Sequence, residues 1–414
     1  MYRSVSLLRS NYRQPAWMAV PQQKSVKRPD DDMDNSNSNF IYLDYNATTP
    51  VDERVLQEML PFFGSSYANP SGAHLFSLTV QDAVEQATAE IAYALGTHAG
   101  NIVHTSGATE AINLAIQGLQ FSPRKHIVSI ATEHKAVLET CAFMELLGFE
   151  ISYLAVDEQG IPDLALLAET IREDTALVCS MLVNNETGLI LPIREIAEIA
   201  HRQQALVLCD ATQAVGKMPV HTGELGVDLL AFSAHKFYGP KGAGGLFIGE
   251  QAKNVLSPIM QGGGQQQGWR GGTLNTTGII GMAAALRIAQ KELNAEQQKI
   301  GRLRDLLENE LLSIDGAFRN GSSIHRLYNT TNICFPGALS EQLIMGLGTI
   351  SVASGSACSA LTSRPSHVLK AMGRADLDAL SSIRFSLGRS TTEAEIDQTA
   401  RRVKQLVQKL RNTN

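Results

Sequence analysis

Between residues 102 and 248 the chain alternates short apolar runs with stretches of helical periodicity. The runs fall at residues 102–105, 126–131, 176–183, 206–209 and 228–232, and each is followed at once by polar residues. Such alternation predicts βα units and a mainly parallel sheet. In that architecture ligands bind at the carboxyl ends of the strands. The segments Ser106-Gly107-Ala108-Thr109-Glu110, Thr132-Glu133-His134-Lys135, Asn184-Asn185-Glu186, Asp210-Ala211-Thr212-Gln213 and Ser233-Ala234-His235-Lys236 should therefore share one edge.

On either side the pattern changes. Residues 40–44 read as a short strand, 45–50 as a polar turn, and Asp52 as the cap of the next helix. A helical pattern covers about residues 76–95 and stops at Gly96. A glycine-rich stretch at 261–273 precedes a long helix over about 278–311. After it come apolar runs at 331–335, 343–347 and 350–352 and a charged helix over about 392–410. The expected organisation is a leader at 1–39, a large domain at 40–290 whose first residues pack with the other lobe, and a smaller α+β domain at 291–414.

Composition narrows the class. Of 414 residues, 44% are apolar and 18% charged, which suits a globular protein with ample core. A net charge of −6 argues against direct nucleic-acid binding. No apolar run is long enough to cross a bilayer, so no membrane partner is expected and the cytoplasm is the expected location. The leader carries Arg3, Arg9, Arg13, Lys24, Lys27 and Arg28 before its first acid, Asp30. It reads as a disordered segment, with an organellar transit peptide as the alternative.

The polar loops supply the candidate chemistry. Lys236 stands where an apolar strand gives way to a Gly/Pro turn, and a lysine there can form a Schiff base with an aldehyde cofactor. An isolated loop lysine is ordinarily a solvated surface group. Asp210 precedes it by 26 residues, about one helix and one strand, which puts both at one sheet edge. A carboxylate there can pair with a protonated pyridine nitrogen, or simply cap a turn. Gln213, Ser233 and His235 are further donors. Ala108 and Thr109 open a helix whose start can hold an anion, although Ser and Thr cap helices generally. His134 can stack on a flat ring and move a proton. Five cysteines without CxxC spacing argue against a zinc site or a disulfide framework. Cys141, Cys179, Cys209 and Cys334 lie in helix or strand patterns and should be buried. Cys358, among small residues, is the one expected to be accessible as a thiolate.

Taken together, these motifs resemble those of the cysteine desulfurases, the class-V aminotransferase-like pyridoxal-phosphate enzymes of the NifS/IscS family. The resemblance runs from about Tyr42 to Leu406. It also takes in the segment from Tyr42 to Pro50, the glycine-rich run through Thr273, and Ser382-Ile383-Arg384-Phe385-Ser386. The stretch from Cys358 to Leu369 is similar to the long-loop group. The resemblance implies an α/β fold of pyridoxal-phosphate fold type I: a large domain with a mainly parallel seven-stranded sheet, and a smaller α+β domain. It implies a homodimer, L-cysteine as substrate and no metal. Lys236 would carry pyridoxal 5′-phosphate, Asp210 would face the ring nitrogen and Gln213 the ring oxygen. Ala108, Thr109, Ser233 and His235 would hold the phosphate, with Thr273 reaching across from the other subunit. His134 would stack on the ring and assist proton transfer. Asn185 and Arg384 would bind the substrate carboxylate. Cys358 would take the sulfur as a persulfide and pass it to an acceptor protein, for iron–sulfur clusters, tRNA or cofactor thiolation, or DNA phosphorothioation. Scaffold-serving members often carry a further C-terminal tail, whereas this sequence closes on Arg411-Asn412-Thr413-Asn414, so the acceptor stays open. A selenocysteine lyase, an aminotransferase that needs no Cys358, and a non-catalytic sulfur-relay partner are the alternatives.

Overall fold

The computed structural model describes residues 40–355 and 364–412. The expected leader and the predicted nucleophile Cys358 lie outside the described residues. From residue 40 on, the chain forms one compact unit.

Twelve strands are present among the described residues: β1 (Ile41–Tyr42), β2 (Ile102–Thr105), β3 (His126–Ile130), β4 (Glu150–Leu154), β5 (Thr175–Met181), β6 (Leu206–Asp210), β7 (Leu229–Ser233), β8 (Gly244–Ile248), β9 (Phe318–Arg319), β10 (Thr330–Cys334), β11 (Ile350–Ser351) and β12 (Ser382–Ser386). Seven of them form the main sheet, in the order β2-β8-β7-β6-β5-β3-β4. Strands β3 to β7 run parallel, and β8 is antiparallel to both β7 and β2. This is the mainly parallel seven-stranded sheet expected of the fold. Its inner strands are buried along their whole length, because helices cover both faces of such a sheet. The exception is β4. It sits at the edge with Glu150 and Tyr153 exposed, so its residues form no continuous apolar run and the sequence pattern missed it.

At the opposite edge β2 would offer unpaired backbone groups. Gln266 covers part of it: its Oε1 accepts from the His104 N–H at 2.6 Å and its Nε2 donates to the His104 carbonyl at 3.0 Å. Gln266 and Gln267 adopt left-handed backbone angles to do so. The glycine-rich stretch is thus ordered against the sheet.

The long helix Thr276–Leu312 changes character along its length. Gly278 to Leu286 are buried without a break, whereas Ile300, Leu303, Leu307 and Leu311 make a single buried stripe. The first part packs on the helices Glu53–Met59 and Leu75–Ala94, and the helix also meets the C-terminal helix Glu393–Arg411. Beyond it, β12-β10-β9 form an antiparallel sheet. The start of the chain joins this region: β1 pairs with β11, and Asp44 bridges to Ser386. Cys141, Cys179, Cys209 and Cys334 are buried. Burial pushes the Cys179 and Cys209 thiols well up and Cys334 to about 11, which leaves them poor nucleophiles.

Candidate active site

A cavity of about 530 Å³ opens at the carboxyl ends of β3, β5, β6 and β7. Pairing of β6 with β7 brings Asp210 and the Lys236 turn to one side of it. Lys236 donates from Nζ to the carbonyls of Asn46 at 2.6 Å and Ala47 at 2.8 Å. Asp210 is buried, and its Oδ1 accepts from the Thr212 N–H at 2.9 Å. Gln213 is fixed at both ends of its amide. Nε2 donates to the Asn46 carbonyl at 2.9 Å, and Oε1 accepts from the buried Lys217 at 2.8 Å.

The helix Ala108–Gln117 begins at the cavity wall after Gly107, and no side chain caps it. Its first N–H groups and its dipole favour an anion there. Ser233 and His235 line the same wall. Burial, with the nearby Lys236, Lys241 and Lys217, pushes the His235 imidazole down to about 4, so it is neutral. Glu110 ties this corner together: it accepts from the Ser106 N–H and pairs with Arg270 of the glycine-rich stretch, both at 2.8 Å.

Asn185 and Arg384 line the same cavity. Arg384 Nη1 donates to the Asn185 carbonyl at 3.0 Å, and Nη2 pairs with Asp44 at 2.5 Å. Arg384 Nε is buried and unpartnered among the described residues. His134 caps the helix Lys135–Glu145 by accepting from the Ala136 N–H at its Nδ1, at 3.1 Å. Burial lowers its pKa; Asp210 opposes this, and Lys236, His367 and Lys135 reinforce it.

The cavity fits a flat phosphorylated pyridine. Its lining offers an uncapped helix start for a phosphate, a carboxylate for a ring nitrogen, an amine for an aldehyde, and a guanidinium for a carboxylate. Thr212, in the same lining, has a buried hydroxyl with no hydrogen-bond partner among the described residues. Ala108, Thr109, His134, Asn185, Asp210, Gln213, Ser233, His235, Lys236 and Arg384 are all brought together here. Thr273 is not: it is exposed and lies off the lining.

Sequence reasoning missed four residues of the site. Asp44 was read only as the end of a short strand and Asn46 as part of a turn. Glu186 is buried, with Oε2 2.5 Å from Ser366 Oγ, and burial raises its pKa. His367 lines the cavity and donates from Nε2 to the Glu133 carbonyl at 2.9 Å. Glu133 is buried too; one oxygen accepts from the Met181 N–H at 2.7 Å and the other has no described partner. Burial pushes its pKa well up.

The family model for aminotransferase class-V matches residues 41–399. A cysteine desulfurase IscS of Methylobacillus flagellatus is 46% identical over 376 residues, 90% of this chain and 93% of the relative. One from Histophilus somni is 46% identical over 378 residues, with 90% and 94% covered. Among solved structures, a NifS-like protein superimposes with a TM-score of 0.83 at 35% identity, covering 89% of this chain and 99% of its own.

Proposed function

The chain belongs to the class-V aminotransferase family and is a pyridoxal 5′-phosphate-dependent cysteine desulfurase, and from that premise we propose which of its residues do the work. The observation that carries the assignment is the one cavity shared by Lys236, Asp210 and an uncapped helix start, with Arg384 in the same lining.

Lys236 would hold the cofactor through its amine, and Asp210 would keep a proton on the ring nitrogen. Gln213 would serve the ring oxygen. Ala108, Thr109, Ser233 and His235 would hold the phosphate, joined by Thr273 of a second copy. The bound cofactor supplies an electron sink for the negative charge left on the substrate carbon. Asn185 and Arg384 orient the carboxylate of L-cysteine, a task suited to the guanidinium's fork of donors. Lys236 would move the proton at the substrate α-carbon, with His134 assisting. The Cys358 thiolate attacks the substrate sulfur, leaving alanine and a persulfide that an acceptor protein collects, toward iron–sulfur cluster assembly.

We infer a homodimer that works in the cytoplasm. Leu60, Phe63, Tyr67 and Leu75 are exposed in one short stretch, an apolar surface that a second copy would cover. No described helix is long and apolar enough to cross a membrane. We assign residues 40–290 to the cofactor-binding lobe and 291–414 to the lobe that bears Cys358.

The test is alanine and reductant-released sulfide from L-cysteine, for the wild type and for Cys358→Ala. Both products should disappear in the variant. Alanine that persists would overturn the nucleophile assignment in favour of a lyase, such as a selenocysteine lyase, that does not use Cys358. A wild type that yields keto acid instead would favour an aminotransferase.

A further inference from the structure

Asn46 is buried, and each of its polar atoms has a partner. Its N–H donates to Ser386 Oγ at 2.9 Å, which sets it against the end of β12. Its carbonyl accepts from Lys236 Nζ at 2.6 Å and from Gln213 Nε2 at 2.9 Å. Its Nδ2 donates to the Asn185 carbonyl at 3.1 Å and to Thr330 Oγ1 at 2.9 Å, and its Oδ1 accepts from Asn329 Nδ2 at 3.1 Å.

The Asn46 amide can point only one way. Thr330 Oγ1 donates in turn to Asn329 Oδ1 at 2.9 Å, so Asn46, Thr330 and Asn329 close a ring in which each donates to the next. Turned over, the amide would set its oxygen against the Asn185 carbonyl oxygen and its nitrogen against the Asn329 nitrogen. All three residues are buried, where an unmade hydrogen bond is costly.

Two carbonyls act as junctions around this residue. Lys236 and Gln213, which serve the cofactor, meet at the carbonyl of Asn46. Asn46 Nδ2 and Arg384 Nη1 meet at the carbonyl of Asn185, and Asn185 and Arg384 serve the substrate carboxylate. A buried amide with its partners made is ordinarily no more than part of the fold. Here the backbone of one residue holds the first junction and its side chain holds the second.

We propose that Asn46 is a positioning residue that fixes the pair Asn185 and Arg384 relative to Lys236, and so matches the site to an amine and a carboxylate on one carbon. The proposal rests on the desulfurase reading and adds a residue to it. Asn46 acts through the four side chains it aligns, and the ring with Thr330 and Asn329 keeps its amide in register. Such alignment lowers the barrier by holding reacting groups in place.

The experiment uses the holoenzyme with Asn46→Ala and Thr330→Val. Thr330 lies off the cavity lining, and valine keeps its shape while removing the hydroxyl from the ring. Two readouts are taken. The first is the concentration of L-cysteine, and of cysteamine, that half-saturates the absorbance change of the bound cofactor; cysteamine is L-cysteine without its carboxylate. The second is the release of cofactor from diluted holoenzyme. The wild type should prefer L-cysteine. In Asn46→Ala that preference should shrink by roughly tenfold, the scale of one lost hydrogen bond near a charged group. Cofactor release should quicken by a similar factor, and Thr330→Val should move both readouts the same way by less. A site that is merely loosened would weaken L-cysteine and cysteamine alike, and an unchanged preference in Asn46→Ala would overturn the proposal. So would a change in only one of the two readouts, since Asn46 would then serve one side of the site alone. If Asn46→Ala does not fold, Thr330→Val decides by the same two criteria. A wild type that forms no alanine from L-cysteine would instead overturn the desulfurase reading, and the proposal with it.

Discussion

Asp44 holds Arg384 in line, with Oδ1 2.5 Å from Nη2 and the arginine side chain only 3% exposed. Asp44 is itself placed by its bridge to Ser386, two residues beyond Arg384 on β12. The guanidinium is thus aimed before any substrate arrives, and its Nη1 rests on the Asn185 carbonyl. A hydrogen bond to a charged group contributes about 1.5–3 kcal/mol. Asp44→Asn should therefore raise KM for L-cysteine by about tenfold or more with a smaller change in kcat, because the lost alignment serves binding. Arg384→Lys, which lacks the fork, should raise it further. Steady-state alanine formation checks both; an unchanged KM in Arg384→Lys would remove this arginine from the carboxylate site.

Gly355 adopts a φ of +110°, a region that other residues rarely enter, and a Cβ would lie 2.7 Å from Glu186 Oε2. Gly355→Ala should lose about 1–3 kcal/mol of stability from backbone strain alone. It should also slow persulfide formation, because the Glu186 carboxyl must shift away from Ser366. Urea unfolding and a persulfide assay read the two effects separately. In a Gly355→Ala, Glu186→Gln double variant the losses should be less than additive, since the two residues touch.

Lys236 and Asp210 were legible in the sequence because each ends a buried apolar run, and β-pairing carries them to one edge. His134, Asn185 and Ser233 follow the same rule. The positions of Asp44, Glu186 and His367 were not, because their partners lie 340, 180 and 234 residues away along the chain. No local periodicity reports such a distance. Arg384 sits inside a wholly buried strand, where periodicity alone expects an apolar residue, and only the resemblance pointed to it. Edge strand β4 escaped notice for the opposite reason, since solvent on one side lets Glu150 and Tyr153 interrupt its apolar pattern.

Glu308, on the long helix, ties it to β9 and β10. It is buried against Arg326 and Arg319 and accepts a hydrogen bond from Thr331, and its pKa falls to about 2 despite the cost of burial. A carboxylate depressed on folding stabilises above its unfolded value of about 4.3, and that contribution is lost as pH falls toward 2. Glu308→Gln leaves the buried Arg326 and the partly exposed Arg319 short of a counter-charge and should lose about 3–5 kcal/mol at pH 7. The gap between wild type and variant should close as pH drops from about 5 toward 2. Urea unfolding across that range checks it; a gap that stays constant would mean the loss is one of packing rather than charge.

Lys217 has the opposite sign. It is buried behind Gln213, and burial, reinforced by repulsion from Lys236 and Arg384 and opposed by Glu296, lowers its pKa to about 7. The unfolded lysine binds its proton up to about pH 10.4, so between about 7 and 10 the unfolded state holds more protons than the folded one. Stability from this group therefore rises with pH through that window, by about 1 kcal/mol per unit, and is flat below it. Lys217→Met removes the titration and frees the Gln213 carbonyl from its donor. The stability of wild type relative to Lys217→Met should climb between pH 7 and 9 in urea unfolding, because other groups cancel in the difference. A difference independent of pH would show that Lys217 keeps an ordinary amine in the fold. In that case the charge would sit beside the cofactor site at neutral pH, and Lys217→Met should then alter the absorbance of the bound cofactor instead.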